Sequence, residues 1–81
     1  MEYVVYILFS ERLQKYYVGQ TADIKKRIQE HNSGKARFTS TGIPWNLVHY
    51  FNCADRSEAT RIETAIKKRG IKRYLQDRGI L

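Results

Sequence analysis

The chain is poor in the residues that build several common kinds of site. Cys53 is the only cysteine, so no intramolecular disulfide and no cysteine-rich zinc cluster can be assembled, and a reducing compartment is expected. Pro44 is the only proline, and the five glycines are scattered. No linker-like stretch, repeat or low-complexity tract divides the chain, and residues 1–81 read as one domain. No apolar run approaches the roughly 18 residues that a membrane span needs, and Glu2 is the wrong charge for a signal-peptide n-region. The expected location is cytoplasmic, without membrane contact. Acidic residues are also scarce: eight Asp and Glu face fifteen Lys and Arg, a formal charge of +7 over 81 residues.

What is present must therefore work at the surface, because a chain of this length supports one modest core but no second lobe or deep cofactor cavity. The positive charge attracts polyanions, of which nucleic acid is the foremost, although charge alone would also serve solubility. Glu2 to Phe9 is β-branched and aromatic on both alternating faces, which predicts a strand covered on both sides. Ser10 to Gln14 reads as a turn, Lys15 to Gln20 as the return strand of a hairpin, and Trp45 to Asn52 as a third strand. Helices are expected over Ala22 to Asn32, capped by Thr21 or Asp23 and stopped at Gly34, over Ser57 to Arg69, capped by Asp55 or Ser57, and over Ile71 to Asp77. The class is α+β, with one small three-stranded sheet.

Two helix faces break their own rule. Arg27 and His31 sit on the inward stripe with Ile24 and Ile28, and Glu63 sits with Ala59, Ile62 and Ile66. Buried charges without partners are expensive, so these groups must pair with one another or share a ligand. Tyr6 and Tyr17 lie near the centres of the hairpin strands, and Gly19 shares the face of Tyr17, where a missing side chain marks a close approach by backbone or ligand. The expectation is that two phenols, a guanidinium, an imidazole and a carboxylate gather on one side of the sheet. Structural readings compete: the tyrosines could fill a core, Arg27 and Glu63 could form an ion pair between helices, and His31 could simply pack.

As chemistry, the set suits phosphodiester hydrolysis. A carboxylate can hold a hydrated hard cation, a guanidinium offers a fork of donors to non-bridging oxygens, and a phenol or imidazole can relay a proton.

The same residues resemble the GIY-YIG nuclease superfamily over essentially the whole chain. Val4-Val5-Tyr6 stands in the place of the first motif, without its Gly and Ile, and Tyr17-Val18-Gly19 in the place of the second. The segment Ala59 to Glu63 is similar to the family's AxRxE pattern, and TSTGIPWNLV, from Thr39 to Val48, resembles a segment of the small stand-alone members. The resemblance implies a three-stranded antiparallel sheet flanked by helices. It also implies an endonuclease that hydrolyses phosphodiester bonds in DNA, in repair or recombination, with a single Mg²⁺ or Mn²⁺ ion. By position, the catalytic roles would pass to Tyr6, Tyr17, Arg27 and His31, metal binding to Glu63, and the structural motif to Gly19. Larger members carry an Asn after the glutamate, and none follows Glu63 here.

Residues 61–81 carry seven basic groups against two acidic ones, a net of +5. Lys67, Lys68, Arg69, Lys72 and Arg73 are the expected phosphate-backbone contacts, which position a strand without reading its sequence. Two alternatives from other classes stand beside the enzyme: a non-catalytic nucleic-acid-binding module, and a nuclease subunit that needs a protein partner. An inward carboxylate that repels phosphate favours the enzyme.

Overall fold

The computed structural model describes residues 2–35 and 37–81. In chain order they form strand β1 (Tyr3–Ser10), β2 (Lys15–Thr21), helix α1 (Ile24–Asn32), a 3₁₀ turn at Ser40–Gly42, β3 (Trp45–Cys53), α2 (Arg56–Arg69) and α3 (Ile71–Asp77). The sheet is antiparallel throughout, in the order β2-β1-β3, so β1 is its centre and both other strands are edges. The fold is the expected α+β arrangement.

Strand alternation explains the layering. Val5 and Ile7 point to one face, where they pack with Val18, Cys53, Ala59, Ile66 and Leu75 under α2 and α3. Tyr6 and Leu8 point to the other face, where Trp45 and the partly buried Ile24 and Ile28 of α1 cover them. A strand apolar on both faces is what a central strand between two helical layers requires.

Several boundaries move for identifiable reasons. Ser10, expected in the turn, belongs to β1 and is fully buried; its hydroxyl donates to the Gly42 carbonyl at 2.6 Å and accepts from the Leu13 amide at 3.2 Å. The α1 helix starts at Ile24 rather than Ala22 because Asp23 is the cap: its backbone is extended and its carboxylate accepts from the Lys26 amide at 3.1 Å. Thr21 ends β2 instead. Asp55 caps α2 by accepting from the Glu58 amide at 2.8 Å, so that helix begins at Arg56, one residue before the expected Ser57. Between α2 and α3, Gly70 has φ +95°, a left-handed conformation that an L side chain resists.

Gly19 pairs directly with Tyr6 across the hairpin. The close approach expected there is made by a side chain: a Cβ on residue 19 would lie 2.5 Å from the Tyr6 hydroxyl and 2.7 Å from its ring. The glycine makes room for the phenol rather than for backbone or ligand. Gly19→Ala is therefore expected to cost about 1–3 kcal/mol. That corresponds to a fall in melting temperature of roughly 5–20 °C for a domain of this size, and the loss should shrink in a Tyr6→Phe background. An unchanged melting temperature would show that the ring has room to yield.

Candidate active site

Burial poses the first problem at this site. Tyr6 and His31 are each 1% exposed and both carry polar atoms that must be satisfied. They satisfy each other: the Tyr6 hydroxyl lies 2.9 Å from His31 Nε2, and His31 Nδ1 lies 2.7 Å from Thr39 Oγ1. In a neutral imidazole one nitrogen donates and the other accepts, so the chain from Tyr6 through His31 to Thr39 carries one proton per link and can run in either direction. Burial pushes the imidazole below its ordinary value, with the nearby Arg27 charge adding to the effect. Burial also raises the Tyr6 phenol, a rise that the hydrogen bond from Arg27 partly offsets.

Arg27, one turn before His31 on α1, reaches the outer side of the same phenol. Its Nε donates to the Tyr6 hydroxyl at 3.4 Å, and its Nη1 lies 3.6 Å from Glu30. With its side chain 40% exposed, the guanidinium stands at the rim with one anchored nitrogen. Tyr17 turns its ring edge-on to His31, with centroids 5.1 Å apart, and to Trp45 at 6.2 Å.

Glu63 arrives from the opposite layer. It projects from α2, its side chain 17% exposed, and its Oε2 accepts from Lys67 at 2.9 Å. An open cleft of about 370 Å³ brings together Tyr6, Tyr17, Gly19, Arg27, Glu63 and Lys67. The expectation that these groups share one side of the sheet is corrected. Tyr6, Tyr17 and Arg27 come from the α1 layer, Glu63 and Lys67 from the α2 layer, and they meet around the edge strand β2. The alternative Arg27–Glu63 ion pair is not formed, since each residue has a helical neighbour of opposite charge closer at hand. His31 does not line the cleft; it stands behind Tyr6.

The basic residues divide. Lys67 is inside the cleft, whereas Arg69 holds Asp77 through two bonds of 2.7 and 3.2 Å and links α2 to α3. Lys68, Lys72 and Arg73 are exposed and do not line the cleft. Gln20 and Arg56 line it without having been singled out, although Arg56 lies seven residues before Glu63 on one helix face, a spacing visible in the sequence. Thr39 was noted only as part of a segment, and its contact with His31 spans eight residues.

A family model described as the GIY-YIG catalytic domain matches residues 2–74. The chain belongs to the GIY-YIG family. A UPF0213 protein of Listeria innocua is 40% identical over 67 residues, which cover 78% of this chain and 74% of that one. A UPF0213 protein of Listeria welshimeri is 43% identical over 54 residues, 65% of this chain and 60% of that protein. The solution NMR structure of a UPF0213 protein from Bacillus halodurans superposes with a TM-score of 0.61 at 32% identity, covering 99% of this chain and 85% of the other. The GIY-YIG chain has no helix, among the described residues, that is long and apolar enough to cross a membrane.

The donor chemistry of the cleft suits a hard divalent cation. Its donors are oxygens: the Glu63 carboxylate, the phenols, and Gln20 Oε1, which is buried without a hydrogen-bond partner among the described residues. No group of three or more His, Cys, Asp or Glu among the described residues could hold a metal. One carboxylate fits a hydrated Mg²⁺ or Mn²⁺ that keeps most of its waters, and the Lys67 ammonium on that carboxylate shows that the position accepts positive charge.

The buried imidazole gives a pH dependence. His31 titrates below its unfolded value of about 6.5, so between those two values the unfolded chain binds more protons than the folded one. Stability is full above about pH 6.5 and falls as pH drops toward the depressed value. The urea midpoint should decrease from pH 7.5 to 5.5, less so in His31→Gln, and NMR titration should place the His31 ring below its ordinary range.

Proposed function

We propose that this GIY-YIG domain, spanning residues 1–81, is a metal-dependent endonuclease that hydrolyses phosphodiester bonds in DNA. The observation that carries the reading is the convergence of Tyr6, Arg27 and Glu63 on one open cleft from two separate layers. Neither layer needs the other's polar groups for its own packing. A carboxylate facing a basic, phosphate-sized cleft has no evident use in binding alone.

Each residue then has a task. Arg27, anchored to Tyr6 through Nε, turns its remaining N–H donors to the non-bridging oxygens of the scissile phosphate, where negative charge builds up in the transition state. Tyr6 passes its proton to His31 Nε2 as the phenol oxygen takes the proton of an attacking water, so the imidazole ends the step protonated; Tyr17 flanks the same position. Glu63 would hold the divalent ion, which when bound would polarise the phosphate and stabilise the leaving oxygen. Lys67 neutralises Glu63 in its absence. Lys68, Lys72 and Arg73 extend the positive surface for the strand backbone.

Lys67 covering the carboxylate also favours a second reading, a nucleic-acid-binding module or a subunit whose activity needs a partner protein to release Glu63. Arg27→Ala separates the two. The guanidinium is half exposed and its ion pair is worth at most about 1 kcal/mol, so the variant should melt near the wild-type temperature and still bind DNA. Its single-turnover cleavage should fall about tenfold to a thousandfold, and Arg27→Lys should not restore it because a point charge cannot reproduce the fork. Wild-type protein that binds DNA but cleaves nothing with either metal would favour the second reading.

A further inference from the structure

A second cleft, of about 430 Å³, adjoins the first and shares Gln20, Arg27 and Arg56 with it. The two form one trough between α1 and α2 across the end of β2. Along α2 its wall is a single helical stripe of Arg56, Glu63 and Lys67, at successive spacings of seven and four positions. Arg56 is thus about 10 Å from Glu63 along the helix axis, on the side away from Lys67. Lys26 of α1 lines the second cleft opposite it.

The charges there are unequal in their freedom. Asp23 and Glu30 also line the second cleft, but Asp23 caps α1 through the Lys26 amide and Glu30 lies 3.6 Å from Arg27. Among the described residues, the Arg56 guanidinium and the Lys26 ammonium are exposed and enter no ion pair. The N-terminus of α2 is a poor anion holder, because the Asp55 carboxylate caps it through the Glu58 amide at 2.8 Å and the Glu58 carboxylate accepts from the Ala54 amide at 3.2 Å, which sets two negative charges there. The task therefore falls to side chains.

We propose that Arg56 and Lys26 form a second phosphate subsite, holding a phosphodiester of the same DNA strand on the opposite side of the cleavage position from Lys67. The inference rests on the nuclease reading above. Under it the strand runs along α2, clamped at both ends of the trough, with its scissile phosphate at Arg27 and Glu63. A clamp on each side fixes the register of the backbone in the cleft without reading any base.

Fluorescence anisotropy of the full chain with a labelled DNA oligonucleotide, in chelator to prevent cleavage, tests this. The Lys26→Ala/Arg56→Ala variant should bind about five- to thirtyfold more weakly near 0.1 M salt, with a slope of log affinity against log salt shallower by about 1. A charge-matched control, Arg61→Ala/Arg78→Ala, removes two cations of a different cleft and should leave the slope unchanged. A neutral methylphosphonate on one side of the mapped cleavage position should weaken binding by the wild type but not by the Lys26/Arg56 variant; on the other side it should weaken both. A wild-type slope in the variant, or identical methylphosphonate profiles, overturns the subsite while leaving the nuclease intact. Wild-type protein without salt-dependent DNA binding overturns the nuclease reading itself.

Discussion

The hydrogen bond between the Tyr6 hydroxyl and His31 Nε2 is the constraint on which the rest of this structure depends. Both groups lie beneath the surface, where an unpaired polar atom costs on the order of 1–3 kcal/mol. Making the bond requires α1 to lie across β1 with its last turn over Tyr6, and requires residue 19 to be without a side chain. The far side of the imidazole then draws in Thr39. Thr39 in turn receives the Trp45 indole N–H on its carbonyl at 2.6 Å, while the Trp45 backbone N–H donates to Asn32 Oδ1 at 2.6 Å and its carbonyl accepts from Asn32 Nδ2 at 3.1 Å. The end of α1, the following loop and the start of β3 are thereby tied to one phenol. Arg27, a turn earlier on the same helix, is delivered to the rim as a consequence.

The second layer obeys simpler rules. Ala59 and Ile66 bury the inner face of α2 against Val5, Ile7 and Val18, and Gly70 folds α3 back so that Leu75 joins them. Glu63 is carried to the border of that face, where the sheet ends at β2. An 81-residue chain has too little interior for an enclosed pocket, and a trough at a sheet edge, walled by helices from both layers, avoids the need for one. It also leaves the guanidinium and the carboxylate partly in water, which lessens the desolvation penalty of setting them there.

Much of this was legible in the residues, and the gaps have physical causes. The strands, the helices and the polar interruptions on their stripes follow from periodicity, and the GIY-YIG fold from the order of motifs. Alternation shows that Val5 and Tyr6 face opposite ways, but not which helix covers which face, so the meeting of Glu63 and Arg27 around β2 was misplaced onto one side. Ser10 looked like a turn residue because a buried hydroxyl is readable only once its acceptor, the Gly42 carbonyl 32 residues away, is in place. Arg69 reads as a free cation until the bend at Gly70 brings Asp77 back to it. Arg56 was within reach, since the helical spacing that marks Glu63 also marks it.

Under the proposed function, a single carboxylate, set into the trough by α2, makes this cleft hydrolytic. The most direct test is cleavage of labelled plasmid, branched and single-stranded DNA with Mg²⁺ or Mn²⁺, with Glu63→Ala protein assayed alongside at matched foldedness. Metal-dependent cleavage is expected of the wild type, and none above background of a Glu63→Ala protein that melts normally and binds DNA. Cleavage by Glu63→Ala at the wild-type rate would contradict that role of the carboxylate.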